Sequence, residues 1–423
     1  MRGMNNPVSL RFMSFVGLTA MVGIGWALSE NRRKVDWRLT VWGVALQFVL
    51  GLLILQTVFG RVLFEWVKKA FDAVTQASTA GAEFLFGDLT QFFIIGKDAV
   101  LTPGDNIVVS AVVAFQVLPT IVFVSALAGV LLHVGAIQAV VRFMAWVMRR
   151  TLKTSGAETF ATALLVFMGI ESMSAVRGYL GTMTRSELCT IMTAFMATIA
   201  ASVMVAYANF GAQPGHLLAA SLMSAPAAIV LSKLLVPETE EPQTRGCVRV
   251  EVPVESHNII DAAARGGSSG LTMALNVGAM LITFIGLVFL FNLVFKGATG
   301  LTFEQVMGWV FRPFAVLLGV PWQDAGKVGE LLGIRAVLNE FIAYSNIKPM
   351  VAAGQLSPRA VTIATYALCG FANPGSIGIL IGGLAGLMPE RRSEVAALGI
   401  KSYVAGMLAC FMTACVAGVL TNA

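Results

Sequence analysis

Apolar runs free of charge and long enough to cross a bilayer recur along this chain of 423 residues, and they restrict its fold more than any other feature. A helix needs about 20 such residues to span roughly 30 Å of hydrocarbon. Eight candidates lie between charged residues: Phe12 to Ser29, Leu39 to Gly60, Asn106 to His133, a run from Leu188 to Ser232 that the turn Gln213-Pro214-Gly215 divides in two, Gly266 to Phe295, Ala360 to Met388, and Ser402 to Ala423. Hydrophobic residues make up 57% of the chain and charged ones 12%, against about 25% charged in soluble domains. The surplus must face lipid. That excludes a water-soluble enzyme and defines an all-α integral membrane protein of eight transmembrane helices.

A net charge of +6 would point a soluble protein toward nucleic acid. Here the basic residues sit in short loops (Arg32, Arg33, Lys34 and Arg38, then Arg142, Arg149, Arg150 and Lys153, then Arg391 and Arg392), where they orient the chain and imply no nucleic-acid partner. With those loops cytoplasmic, parity puts both termini outside the bacterial inner membrane, and the polar stretch Pro237 to Asn258 is a cytoplasmic linker. The first run is followed by Arg32-Arg33-Lys34 rather than a small-residue cleavage site and is read as a retained span. Between Arg61 and Gly87, Leu63, Trp66, Val67, Ala70, Phe71 and Val74 recur at helical spacing opposite Glu65, Lys68, Lys69 and Asp72, the pattern of an interfacial helix. The five cysteines (Cys189, Cys247, Cys369, Cys410, Cys415) and three histidines (His133, His216, His257) show no metal spacing, and no nucleotide-hydrolysing motif occurs. No cofactor is implied.

Two segments, Lys153 to Thr184 and Asp324 to Met350, are too polar to cross singly and long enough for two short helices each. Re-entrant hairpins fit them, with tips tolerated only where protein or a water-filled cavity satisfies the backbone. The helix after each hairpin follows a polar turn with a serine, Ser186 or Ser357. Thr190-Ile191-Met192-Thr193-Ala194-Phe195 then matches Thr362-Ile363-Ala364-Thr365-Tyr366-Ala367, and in that register Thr198 to Ser202 falls opposite Gly370 to Pro374, where both helices break at mid-depth. The hairpins start on opposite sides, so the two units form an inverted repeat, the architecture of secondary transporters. The chain divides into 1–105, two spans and the interfacial helix; 106–258, the third span, first hairpin and first broken helix with the linker; and 259–423, a scaffold span with the second hairpin and second broken helix.

A carboxylate at the bilayer centre costs on the order of 3 kcal/mol on insertion scales. Glu171 and Glu340 both fall at hairpin tips, so each either faces a polar cavity and binds ligand hydroxyls or a cation, or pairs with Arg177 and Arg335 respectively to close its hairpin. Asn373 precedes Pro374, Gly375 and Ser376, a sequence suited to an unwound turn that exposes main-chain groups, the alternative being an ordinary proline kink. Phe371 beside it can stack on a planar ring or simply pack. Gly378, Gly382 and Gly386 repeat at the spacing of close helix packing.

Val337-Leu338-Asn339-Glu340-Phe341-Ile342-Ala343-Tyr344, with Ala367-Leu368-Cys369-Gly370-Phe371-Ala372-Asn373 and Ser376, closely resembles the concentrative nucleoside transporter family. The similarity extends to Pro237-Glu238-Thr239 and to Asn276-Val277-Gly278-Ala279-Met280-Leu281-Ile282. The resemblance implies a homotrimer of eight-span protomers, each moving its own transport domain in an elevator-like cycle. It implies that Glu340, Asn373 and Ser376 bind ribose hydroxyls and that Phe371 and Val203 flank the base. The first hairpin departs from the family's Gly-Gln-Thr-Glu-Ala-Pro tip, reading Met168-Gly169-Ile170-Glu171-Ser172-Met173, so Glu171 carries over while Gly169 and Ile170 replace the two base-reading side chains. Sodium-coupled members place an Asn on this hairpin and a Ser on the broken helix. Leu164 and Thr198 stand there, leaving Thr198 with the carbonyls of Phe167 and Ile199 for a cation. Sodium dependence is therefore expected to be weak or absent, with a proton on Glu171 or Glu340 as the other coupling ion.

The sequence thus reads as a cation-coupled nucleoside transporter of the inner membrane, multi-pass and in contact with lipid. The alternatives are a carrier of a modified nucleoside or other ribose-bearing solute, and a non-transporting membrane module of the same architecture. The midplane polar groups argue against the latter, because a scaffold gains nothing from them.

Overall fold

A computed structural model describes residues 6–87, 113–245 and 256–421, apart from the side chains of Val113 and Glu171. Among the described residues the protein is entirely helical. Helices α1 (Pro7–Ala27), α2 (Trp37–Gln56), α3 (Val58–Phe86), α4 (Val113–His133) and α5 (Ala136–Leu152) lead into the first helix–turn–helix segment, α6 (Gly156–Leu165), a 3-10 stretch Ile170–Val176 and α7 (Arg177–Leu180). Then come α8 (Arg185–Ala197), α9 (Ala201–Asn209), α10 (Pro214–Leu235), α11 (Ile259–Thr299) and α12 (Phe303–Leu317). The second such segment, α13 (Ala325–Val337), α14 (Glu340–Ser345) and α15 (Ile347–Ala352), precedes α16 (Pro358–Leu368), α17 (Pro374–Leu387) and α18 (Arg392–Leu420).

Seven helical runs among the described residues are long and apolar enough to cross a membrane, the α8–α9 run Arg185–Asn209 counting as one. Seven of the eight expected spans fall on these runs, and the remaining one, Ala360 to Met388, is two short helices, α16 and α17, separated by extended backbone. The basic stretch after α4 is not a loop but the amphipathic helix α5, and α12 is a further helix that no charge-free run announces. Helix α3 forms where the apolar stripe predicts, but it rests on protein as well: its Phe64 packs edge-on against His216 with ring centroids 5.2 Å apart. Cys247 and most of the linker, like the start of the third predicted span, lie outside the described residues. The other four cysteines are free and buried, as expected of apolar helices.

Helix α18 runs antiparallel to α1. Arg11 Nε donates to Thr421 O at 3.3 Å at one end, and Glu30 pairs with both Arg185 and Lys401 at the other. The basic loops gather at the Glu30 end. There the first helix–turn–helix segment begins, with Lys233 Nζ 2.7 Å from Glu158 and 3.1 Å from Glu238, and Gly156 N donating to Thr244 O at 3.0 Å. The second begins at the opposite end. Ser357 N donates to Asp324 at 3.3 Å, and the neighbouring Arg359 donates to Gly319 O, Gly418 O and Thr421 O at 3.0, 2.7 and 3.2 Å.

Each segment is followed by a helix that breaks. A capping box between Thr184 and Glu187 starts α8, and Ser357 with Pro358 starts α16. Thr198 ends α8 by turning extended and donating its hydroxyl to Leu165 O at 3.0 Å and Ala194 O at 2.7 Å, while Ala201 N restarts the chain by donating to Phe167 O at 3.1 Å. Pro374 is not a kink inside a helix. It is the first residue of α17, where its missing N–H costs nothing. The two breaks touch at Gly370, where a Cβ would lie 2.7 Å from both Cys410 Sγ and Met196 O.

Helices α4 and α11 form a tight pair. Added Cβ atoms at Gly266 and Gly270 would meet Ser125 O at 2.5 Å and Ser125 Cβ at 2.7 Å. These are the close-approach glycines. Gly378, Gly382 and Gly386 are not: nothing among the described residues lies within 4 Å of where their Cβ atoms would stand, because that face of α17 points away from the packed helices.

Candidate functional site

The extended backbone before α17 fixes the central polar group. Asn373 caps α17, its Oδ1 accepting Ser376 N at 2.8 Å, which leaves its Nδ2 to donate to Glu340 Oε2 at 2.7 Å. Glu340 is the first residue of α14, capped in turn by Asn339, whose Oδ1 accepts Ile342 N at 2.9 Å. Its other oxygen, Oε1, accepts the Tyr207 hydroxyl of α9 at 2.8 Å. Both carboxylate oxygens are therefore held by neutral donors from two different broken helices, and the group is 5% exposed. Arg335 does not pair with it. That guanidinium donates to Ala367 O at 3.0 Å and to Gly370 O at 3.4 Å, so the closing ion pair within the second hairpin does not form. The side chain of Glu171 lies outside the described residues.

Glu340 and Asn373 border a cavity of about 350 Å³, within the size range of small-molecule sites. Gly169, Ile170, Val203, Phe371 and Ser376 line it as well, so one cavity gathers residues from both helix–turn–helix segments and both broken helices. The opposite wall belongs to α11, where Ser269, Thr272, Met273, Asn276, Val277, Met280 and Leu281 share one helical face. Sequence reasoning missed this wall, although Ser269, Thr272 and Asn276 recur at i, i+3 and i+7 in an otherwise apolar helix. It also missed Tyr207, Phe195 and Phe341. Phe195 lies 5.4 Å from Phe371, and Tyr207 stacks on Tyr344 at 4.4 Å.

Behind the cavity, Phe167, Thr198 and Ile199 meet where the first hairpin adjoins the break after α8. Thr198 and Ile199 are fully buried, the Leu164 side chain beside them offers no oxygen, and Phe167 O already accepts Ala201 N. The hydroxyl of Thr198 with the carbonyls of Phe167 and Ile199 makes a sparse oxygen set for a cation.

Oppositely entering helical hairpins, two broken helices and a polar cavity at their junction define a secondary transporter. Comparison with known proteins specifies which kind. The chain matches the family profiles described as Na+ dependent nucleoside transporter C-terminus over residues 216–418, Na+ dependent nucleoside transporter N-terminus over 16–89, and a gate profile described as nucleoside recognition over 114–214. It is 39% identical to solute carrier family 28 member 3 of Rattus norvegicus over 97% of its own length and 59% of that protein's, so it spans little more than half of this relative. It is also 39% identical to the uncharacterized transporter YutK of Bacillus subtilis (strain 168), covering 95% of this chain and 98% of that one. Among solved structures it superposes on CNTnw in an inward-facing substrate-bound state with a TM-score of 0.90 at 38% identity, covering 97% and 99% of the two chains. The chain belongs to the concentrative nucleoside transporter family, a family of multi-pass membrane transporters and not of enzymes.

Proposed function

We propose that this protein carries nucleosides across the bacterial inner membrane by cation-coupled, elevator-like alternating access. The carrying observation is Glu340, a buried carboxylate held by Tyr207 and Asn373 at the edge of a 350 Å³ cavity. A carboxylate so fixed presents its remaining lone pairs to a ribose diol, with Asn373 and Ser376 alongside and Phe371 and Val203 on the base. Structures of CNTnw variants in outward-facing and intermediate states support an elevator-like cycle here, as does the largely apolar α11 wall of the cavity. In this reading the chain spans the membrane eight times, the broken α16–α17 counting as one span, with two re-entrant hairpins in an inverted repeat supplied by 106–258 and 259–423. Both termini lie outside. Three copies assemble, and the exposed apolar face of α11, with Ile282, Phe289 and Leu293, meets lipid or a neighbouring copy.

A substrate other than an ordinary pyrimidine nucleoside is favoured by Gly169 and Ile170, which bring no side-chain donor or acceptor to the base. Coupling is to sodium held weakly at Thr198, or to a proton. Calorimetry of nucleoside binding to the purified protein tests the site through Glu340→Gln. The amide must turn its NH2 toward either Tyr207 or Asn373, and losing one charge-assisted hydrogen bond costs about 1.5–3 kcal/mol. Binding should weaken at least about tenfold while the protein still folds, its melting temperature falling by no more than the loss of one hydrogen bond implies. Unchanged affinity would refute the assignment.

A further inference from the structure

Arg335 is 1% exposed, and among the described residues no carboxylate pairs with it. An uncompensated charge is costly in such a setting. What compensates it is main chain. Its Nη1 donates to Ala367 O at 3.0 Å, its Nε and Nη2 reach Gly370 O at 3.4 Å, and Nη2 lies 3.1 Å from Cys410 Sγ. These carbonyls close α16 and open the break that carries Phe371 and Asn373. A helix C-terminus leaves carbonyls unpaired and attracts positive charge.

The first unit is built differently at the matching place. Laying Glu340 on Glu171 also lays the hairpin cap Asp324 on Ser155 and puts Val166 where Arg335 stands. There Leu165 O accepts the neutral Thr198 hydroxyl at 3.0 Å, and Ala197 O accepts the weak thiol donor of Cys410 at 3.6 Å. The same thiol reaches Cys369 O at 3.1 Å, so the two breaks meet back to back with a fixed charge on one side only.

We propose that Arg335 is a tethered cation, supplying at the second break the positive charge that a dissociable coupling ion supplies at the first. The protein then has one exchangeable cation site and one that is permanently filled. This rests on the reading that the coupling ion binds at Thr198. Removing the guanidinium turns the second break into an open site for a small monovalent cation, guanidinium above all.

The test is calorimetry of nucleoside binding to the purified full chain in choline chloride, for wild type, Arg335→Ala and Arg335→Lys. The Ala variant should bind about tenfold or more weakly. Low-millimolar guanidinium should restore most of that affinity, while tetramethylammonium, which cannot donate hydrogen bonds, should not. Wild type should not respond, and Lys should bind within a few-fold of it without added cation. A positioning role is overturned if Ala binds like wild type, if its loss ignores guanidinium, or if guanidinium acts equally on wild type. Should Ala not be recovered folded, melting temperatures decide: guanidinium must raise that of Arg335→Gln and leave that of Arg335→Lys unmoved. Thr198→Val reports on the first break separately. If it leaves the cation dependence of wild type intact, the coupling ion is elsewhere and the pairing of the two sites fails, whatever guanidinium does at the second.

Discussion

Tyr207→Phe isolates the grip on Glu340 from the packing around it. The ring stays, stacked 4.4 Å from Tyr344 at 18° and edge-on to Phe341 at 5.8 Å. Only the hydroxyl that donates to Glu340 Oε1 at 2.8 Å is lost. A hydrogen bond to a charged group is worth about 1.5–3 kcal/mol, which sets a ceiling of roughly 10- to 150-fold on the change in affinity. A ribose hydroxyl or a water can take up part of the vacated lone pair, so the low end, about tenfold, is the expected weakening of nucleoside binding by calorimetry. Tyr344→Phe is the matched control. Its hydroxyl donates to Thr365 O at 2.6 Å and does not touch Glu340, so it should lower the melting temperature while leaving affinity nearly unchanged. If both variants weaken binding equally, or if Tyr207→Phe binds as wild type does, the carboxylate is not positioned by Tyr207.

Leu164→Asn adds an oxygen beside Thr198 and should raise the apparent sodium affinity of uptake several-fold at fixed pH; an unaltered sodium response would count against a cation site at the first break. At Glu30, burial opposes the charge, but the hydrogen bonds and charges of Arg185 and Lys401 outweigh it and hold the carboxyl below its ordinary range. That depressed value means the contact stabilises the fold above the unfolded carboxyl's pKa near 4.5 and is lost as pH falls through the folded value. Glu30→Gln should therefore flatten the acid limb of the melting-temperature profile by up to about 1 kcal/mol, the scale of an exposed ion pair. Gly270→Ala puts a Cβ 2.7 Å from Ser125 Cβ and 2.8 Å from Val122 Cα and should cost about 1–3 kcal/mol in unfolding, whereas Gly378→Ala, with no neighbour within 4 Å among the described residues, should be silent.

The parts of this protein that its sequence announces are those with local causes. Both helix breaks were readable because each broken helix follows a polar turn, read from Ser186 or Ser357, and carries its own stop, Thr198 or Gly370, although the cap of α8 is Thr184 and Ser186 lies just inside the helix. Glu340 stood out because a carboxylate costs energy in an apolar segment, and Asn373 because Pro374 and Gly375 follow it. The features that escaped are decided by contacts between distant residues. Tyr207 reads as an ordinary core aromatic until α14 brings Glu340 to its hydroxyl. Arg335 reads as the natural partner of Glu340, five positions on in the same hairpin, until the broken α16 offers it carbonyls instead. The spacing of Gly378, Gly382 and Gly386 was right for close packing, but spacing does not say which face meets a neighbour, and Gly266 with Gly270 met one.

The polar atoms at the cavity have a shared feature that bears on transport. Asn373 uses its oxygen to start α17 and its amide to hold Glu340, so the cap and the proposed binding group are one side chain. Glu340 is held by α9 through Tyr207 and by the start of α17 through Asn373, tying together the two broken helices that follow the oppositely entering hairpins. A carrier whose binding groups also hold its moving parts together cannot distort one without disturbing the other. In the proposed elevator-like cycle, substrate in the cavity would be carried by displacement of the whole hairpin assembly, and the surface left behind must offer few obligatory polar bonds. The α11 wall fits that requirement. Met273, Val277, Met280 and Leu281 dominate it, and Ser202 Oγ meets Met273 at only 3.6 Å through sulfur, a weak contact that sliding can break and remake at little cost.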